Sequence, residues 1–362
     1  MKDNIVKILQ ETPWLKGREI AHRLNADKKE VNAFLHSHSD LFVQDNEFFW
    51  SLANQFRVEF AKNTWITSAS FEHSLARCGS PLDDDCSSVV FVLPEGCKVL
   101  LEAAARLMAL CNQLAWKGKR VVLDFSDSGS TRSYFNRIGF FDHLAPAVTV
   151  IPARPTVSGA EIFRGNADTL MEFGAIDPIA PDESIPVQLK HSFVNHAGEE
   201  YSQPAFTVLA ELFDNVRDHA ESPLPGFAAL QCYKATKAPH IQTVISDSGK
   251  GIVETLRPIL QTRYPDVANK IAEAGDAADA HLVREIFERG QITQCEPGRG
   301  LGLKASGDVA AKFKAKISIR QETFEVILQY TGAKRPKFTH SLNLPRILGT
   351  HICFDFLLDQ RA

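Results

Sequence analysis

Three polar stretches, in a fixed order and each at the start or end of a regular element, constrain this chain more than anything else in it. The first is Glu211-Leu-Phe-Asp-Asn215-Val-Arg-Asp218-His219. Leu209, Leu212, Phe213 and Val216 recur at helical spacing and mark a buried face. Glu211 and Asn215 are four apart, so they stand one turn from each other on a different face. A carboxylate and a carboxamide placed this way can hold a water beside a divalent cation, and the Asn oxygen suits hard Mg²⁺. The second stretch is Asp247-Ser-Gly249-Lys-Gly251, after a run Ile241–Ser246 that reads as a strand. Its carboxylate is a polar anchor, and its glycines permit close backbone approach. The third is Gly298-Arg-Gly300-Leu301-Gly302-Leu303-Lys304, ahead of a helix from Ser306 to Phe313. Free N–H groups at a helix start suit phosphate. Singly, each has a plain alternative: a solvated helix face, a hairpin turn, a loop glycine. The pattern GxxxxGK[ST] is absent and no strand immediately precedes the third stretch, so it is neither a Walker A loop nor a Rossmann fingerprint.

The remaining chain divides by pattern. At 362 residues it is long enough for two or three domains. Residues 1–52 read as a helical unit ending in a hairpin. Ile5, Val6, Ile8 and Leu9 form one apolar stripe, Ile20, Ala21 and Leu24 a second, and Val31, Phe34 and Leu35 a third. Asn25-Ala26-Asp27 supplies a turn and an N-cap. Leu41-Phe42-Val43 and Phe48-Phe49-Trp50, joined through Asp45-Asn46, read as strand, turn, strand. Three helices followed by a β-wing resemble the winged helix-turn-helix family. Residues 53–85 are polar, carry Gly79-Ser80-Pro81 and Asp83-Asp84-Asp85, and read as a linker with room for one helix or strand. Residues 86–150 alternate strand (Val89–Leu93), helix (Leu100–Leu114), strand (Arg120–Phe125) and helix (Arg132–Ile138), which predicts a parallel sheet. The strand VVLDFS and its following turn resemble a STAS-like domain, the fold of anti-sigma antagonists. Residues 151–198 hold Pro152, Pro155, Pro178, Pro181 and Pro186 and read as a connecting region, with a helix around Ala167–Phe173 and with His191 and His196 in loops.

The ExxxN helix, then DxGxG, then GxGLGL, with Gly349-Thr350 ahead of the apolar strand Ile352–Leu358, resembles the GHKL ATPase family. That family has the Bergerat fold and includes gyrase, the ninety-kilodalton heat-shock chaperones, histidine kinases and MutL. The resemblance spans roughly residues 200–358. The fold class it implies is α/β and α+β. A C-terminal Bergerat α/β sandwich over 199–362, a mixed sheet with helices on one face, would follow a central STAS-like α/β domain and an N-terminal winged helix. ATP and Mg²⁺ are the implied ligands. Asn215 would coordinate the Mg²⁺, and Glu211 would orient or deprotonate the attacking water. Asp247 would accept from the adenine amino group, with Thr350 supporting that contact. Gly249 and Gly251 would let a lid begin close to the nucleotide. Gly298, Gly300, Leu301 and Gly302 form the phosphate-binding turn, and Lys304 is either a phosphate contact or a solvated helix-start lysine. Asp218 and His219 follow in the style of histidine kinases (N-x-x-K/R-H), with Asp in place of the basic residue. Residues 253–297 would be the ATP lid, containing a helix at Leu282, Val283, Ile286 and Phe287.

Charge and composition narrow the function classes. The net charge of −4 and pI near 6.3 argue against a polybasic nucleic-acid or membrane-surface protein. Residues 1–50 carry seven basic and eight acidic side chains, so charge does not favour nucleic acid there, although Lys28 and Lys29 at the third helix are placed for it. No apolar run reaches a membrane span, the N-terminus lacks a secretory pattern, and the seven Cys form no CxxC pair. A cytoplasmic protein without membrane contact is expected. The leading expectation is a regulatory ATPase or switch whose lid controls binding of a protein partner through the N-terminal modules. A homodimer is an option the family resemblance leaves open. The alternatives are an anti-sigma-like serine/threonine kinase, with Ser126, Ser128 and Ser130 after the second strand as candidate acceptors, and a nucleotide-responsive DNA-binding regulator. No transducer segment follows the last strand, so a gyrase-type clamp is not expected within this chain.

Overall fold

A computed structural model describes residues 1–39, 41–45, 47–219, 221–234, 236, 238–289, 292, 302–312, 315–331 and 336–358. The first unit is α1 (Lys2–Glu11), β1 (Leu15–Lys16), α2 (Gly17–Leu24), α3 (Lys28–Ser37), β2 (Phe42–Gln44) and β3 (Phe49–Leu52). The three stripes read from the sequence converge on one core: Ile5, Leu9, Ile20, Val31, Leu35 and Trp50 are all buried. Asp27 caps α3, its carboxylate accepting from the N–H groups of Lys29 at 2.7 Å and Glu30 at 3.2 Å. The hairpin β2–β3 forms as expected. The short β1, not legible in two residues, adds to it through Leu15 opposite Trp50.

The stretch expected to be a linker is structured. It supplies β4 (Gln55–Glu59), β5 (Trp65–Ile66) and α4 (Ser68–Ala76). Its polar residues hide an alternation in which Val58 and Phe60 point inward, and α4 buries Phe71 and Leu75. Next come β6 (Ser88–Val92), β7 (Lys98–Val99), α5 (Leu101–Trp116), β8 (Arg120–Asp124), α6 (Gly129–Arg137), α7 (Phe140–His143) and β9 (Thr149–Ile151). The expected parallel sheet is present, in the order β4-β6-β8-β9, with β5 paired separately to β7. The connecting region holds α8 (Gly159–Phe163), β10 (Leu170–Ile176) and α9 (Ile185–Ala197). A strand replaces the helix expected near residue 170, because its two faces are both covered: Phe173 joins one core, Met171 and Ile176 the other. His191 and His196 lie in α9 rather than in loops. Pro186, which looked like a breaker, sits in the first turn, where a helix needs no N–H from it.

The last block is α10 (Ser202–His219), β11 (Gly226–Tyr233), β12 (His240–Ser246), α11 (Gly251–Arg263), α12 (Pro265–Ala272), α13 (Ala278–Arg289), α14 (Gly302–Lys312), β13 (Lys316–Glu322), β14 (Phe324–Gln329), β15 (Lys337–Ser341) and β16 (Ile347–Leu357). A seven-stranded sheet runs β10-β11-β12-β16-β13-β14-β15. Its strand pairs are all antiparallel, which corrects the expectation of a mixed sheet. Helices also cover both faces, not one. Alternate residues such as Leu230, Ile245 and Phe354 meet α9, α10 and α14 on one side, while Phe227, Val244 and Cys353 meet α5 on the other. The segment expected to be a lid holds the expected helix, α13, after α11 and α12. Its residues 253–289 are three helices whose buried faces, including Val267, Leu282, Val283, Ile286 and Phe287, belong to the core.

The parallel unit and the seven-stranded sheet therefore share α5 and a single core. Along α5, Glu102, Arg106 and Gln113 fall on one stripe, because spacings of four and eleven return to the same helix face. Arg106 donates to Glu72 at 2.8 Å, Glu102 at 2.7 Å and Glu325 at 2.5 Å, and Arg320 donates to the same Glu72 at 2.9 Å. These groups come from α4, α5, β13 and β14, and each is less than 10% exposed. Three carboxylates paired with two guanidiniums thus fasten the two units together away from water. Such groups are tolerable only when paired and hydrogen-bonded.

Candidate functional site

The C-terminal end of β12 and the first residues of β16 build a polar corner. β12 stops at Ser246, and Asp247 follows it, 7% exposed. The Asp247 backbone N–H donates to the Thr350 carbonyl at 2.9 Å, extending the ladder by one rung. Its carboxylate accepts the Gly249 N–H at 2.7 Å, and the Thr350 hydroxyl also bonds to it. Gln321 of β13 donates to the Thr350 oxygen at 2.9 Å, so that hydroxyl is held from the far side. Burial pushes the Asp247 carboxyl up to about 6, with the Gly249 and Thr350 hydrogen bonds opposing the rise. A buried carboxylate in this state is stabilised by a further donor, which is what an amino group on a flat ring supplies.

Glycine makes this approach possible at one position above all. Gly349 has φ +86°, and a Cβ there would lie 2.3 Å from the Asp247 carbonyl oxygen. No side chain fits, and the conflicting atom is backbone and cannot rotate away. Gly251, at φ +74°, turns the chain out of the Asp247 corner into α11.

The α10 helix is brought to the same corner. Its buried face is the one read from the sequence: Leu209, Leu212, Phe213 and Val216. At Gly226 an added Cβ would meet the Val216 side chain at 2.5 Å and the Ser246 carbonyl at 2.8 Å, so the residues beside Asn215 and Asp247 close on one point. An ion pair of 2.6 Å between Lys250 and Glu221 ties the segment after α10 to the Asp247 turn. Glu211 and Asn215 stand one turn apart, both half-buried. The Asn215 Nδ2 is buried and has no hydrogen-bond partner among the described residues. A buried amide in that state fits a ligand-facing position, since such groups are otherwise paired. α14 lies alongside α10. Gly302 opens α14 and Lys304 is in its first turn. Gly298, Gly300 and Leu301 lie outside the described residues, as do the side chains of Asp218, His219 and Lys304.

Ser126, Ser128 and Ser130 do not join this site. They lie at the C-terminal end of β8, near the start of α5, whereas Gln113 near the end of α5 contacts the Asp247 turn. Twelve residues of helix separate those ends by about 18 Å. Ser128 is also buried and donates to the Leu93 carbonyl at 2.6 Å, and Ser126 is engaged by Asp124. Gln113, Gln321 and Gly226 were missed from the sequence. The detectable signal was Asn112-Gln113 inside a mostly apolar helix.

The described cysteines are free, and no described helix is long and apolar enough to cross a membrane. Among the described residues no three His, Cys, Asp or Glu gather as a metal-binding group. Mg²⁺ held largely by water and phosphate does not require one. No protein-family model matches this chain, and neither a curated protein nor a solved structure matches it.

Proposed function

We propose that residues 199–362 bind Mg-ATP in the manner of the GHKL family, and that the protein is a nucleotide-dependent regulatory ATPase. The observation that carries this reading is the Asp247–Thr350 corner. A buried carboxylate, a hydroxyl held by Gln321 and a glycine-dependent close approach stand at adjoining strand ends, with the Glu211–Asn215 helix closing on the same point. Asp247 accepts from the exocyclic amino group of adenine, and Thr350 shares that contact. The half-buried Asn215 fits the metal through its carboxamide oxygen, leaving its orphaned Nδ2 to donate to a phosphate oxygen or water. When bound, Mg²⁺ neutralises charge on the phosphates. Glu211 then orients water and accepts its proton. Gly302, which opens α14, offers its N–H to phosphate. The GHKL, winged-helix and STAS-like resemblances belong to this proposal, as do a protein partner and an interior, membrane-free location.

Transfer to the Ser126–Ser130 segment of the same chain is not favoured, because Ser128 is buried and the segment lies at the far end of α5; a kinase acting on a separate partner remains the alternative. The test is incubation of the purified protein with Mg²⁺ and ATP labelled on its γ-phosphate. Free labelled phosphate that depends on Glu211, without label on the protein, supports the ATPase. Label on the protein replaces that reading with a kinase. Neither signal, with ATP bound, leaves a nucleotide-gated binder and removes the hydrolytic role of Glu211.

A further inference from the structure

Gln113 lies on the opposite side of the seven-stranded sheet from α10, and belongs to the parallel unit. It is fully buried. Its Nε2 donates to the Ser248 hydroxyl at 2.8 Å and to the Leu348 carbonyl at 2.9 Å, while its Oε1 accepts the Leu348 N–H at 2.9 Å. One side-chain amide therefore grips the Leu348 peptide from both ends and reaches the residue after Asp247. Leu348 immediately precedes Gly349-Thr350. The two segments that form the corner are thus held from behind by one α5 side chain, and from the front by the Asp247 N–H to Thr350 carbonyl bond. The Leu348 carbonyl also bonds His351 Nε2 at 3.0 Å. Burial, first, and Arg320 and Arg106, second, push that imidazole down to about 3, so the neutral ring donates here. The same stripe of α5 carries Arg106, in the ion cluster that anchors β13 and β14.

We infer that Gln113 is a positioning residue for base recognition: through it, the parallel unit sets the separation of Asp247 and Thr350 and is mechanically joined to the nucleotide's base. This deepens the nucleotide proposal and rests on it. An apolar replacement takes the Gln113 partner from the Leu348 N–H and the Ser248 hydroxyl and leaves the Leu348 carbonyl with His351 alone, and a buried peptide in that state shifts to find new partners. The corner then loses its fit to one base before it loses its fold.

The experiment compares Mg-ATP and Mg-GTP affinity by calorimetry for the wild-type chain, Gln113→Met and Ser248→Ala, with thermal unfolding of each. Gln113→Met keeps the side chain's length without its hydrogen bonds, and reduces the preference for ATP over GTP about tenfold. Ser248→Ala removes one of the three contacts, and reduces that preference about threefold, so it serves where Gln113→Met does not fold. A preference unchanged in every variant that folds overturns the inference while the nucleotide proposal stands. So does an equal loss for both nucleotides, which is the mark of general structural damage. A wild-type chain that binds neither nucleotide overturns the nucleotide proposal, and this inference with it.

Discussion

Asp247→Asn separates stability from binding, because the same burial that prepares Asp247 for a donor makes its charge costly. In the folded chain its carboxyl is raised from an ordinary 3.8 to about 6, chiefly by burial. An unfolded chain releases this proton near 3.8, while the folded chain holds it until about 6. Between those values the folded state binds more protons, so stability falls as pH rises. The contribution is fully present below 3.8 and lost above about 6. Its size is about 3 kcal/mol. Asparagine keeps an oxygen for the Gly249 N–H and does not titrate. The difference in urea-unfolding free energy, variant minus wild type, therefore grows by about 3 kcal/mol from pH 3.5 to pH 7.5. Other titrating groups cancel in the difference. ATP affinity moves the opposite way: the variant is weaker at pH 7.5, and wild-type affinity rises with pH through about 6 as the carboxylate forms. Parallel stability profiles for the two proteins across that range would refute the reasoning, since they would mean Asp247 is not held protonated by its surroundings.

Further expectations follow from the other parts of the site. Asn215→Ala removes the Mg²⁺-dependent gain in ATP affinity, whereas Glu211→Ala retains binding and lowers phosphate release at least about 100-fold, as for loss of a general base. Calorimetry with and without Mg²⁺ and a phosphate-release assay check the pair. Gly349→Ala brings a Cβ to 2.3 Å from backbone at positive φ, so it lowers unfolding stability by more than about 2 kcal/mol and removes ATP binding, seen by denaturation and titration. Glu72→Gln takes the carboxylate from Arg320 in a dry site, while Arg106 keeps Glu102 and Glu325, and costs about 3–5 kcal/mol in urea unfolding.

Much of this architecture was legible because periodicity reports burial. The α10 face, the β12 strand and the three stripes of the first unit were read from residues whose partners are nearby in sequence or alternate cleanly. What escaped depends on distant neighbours. Residues 53–85 look polar because β4 and α4 bury only a few side chains each, against elements that follow later in the chain. The apolar helix α5 was legible as a helix, but not as the layer between two sheets. Its polar stripe, Glu102, Arg106 and Gln113, finds its partners on β13, β14, β16 and the Asp247 turn, 135 residues away in the case of Ser248. Asp247 and Thr350 were paired by resemblance alone. Their contact arises from the register Ser246 opposite His351, which no local pattern in the sequence encodes. Within residues 253–297 the apolar helix at Leu282–Phe287 was legible, while its packing against β14 was not.

The central claim is that this corner reads adenine. The most direct measurement is calorimetric titration of the full-length chain at pH 7.5 with ATP and GTP, each with and without Mg²⁺, repeated for Asp247→Asn. The account predicts saturable ATP binding that Mg²⁺ strengthens, at least about tenfold weaker GTP binding, and loss of that preference in the variant. Equal affinity for both nucleotides in both proteins, or no binding of ATP to the folded wild type, contradicts it.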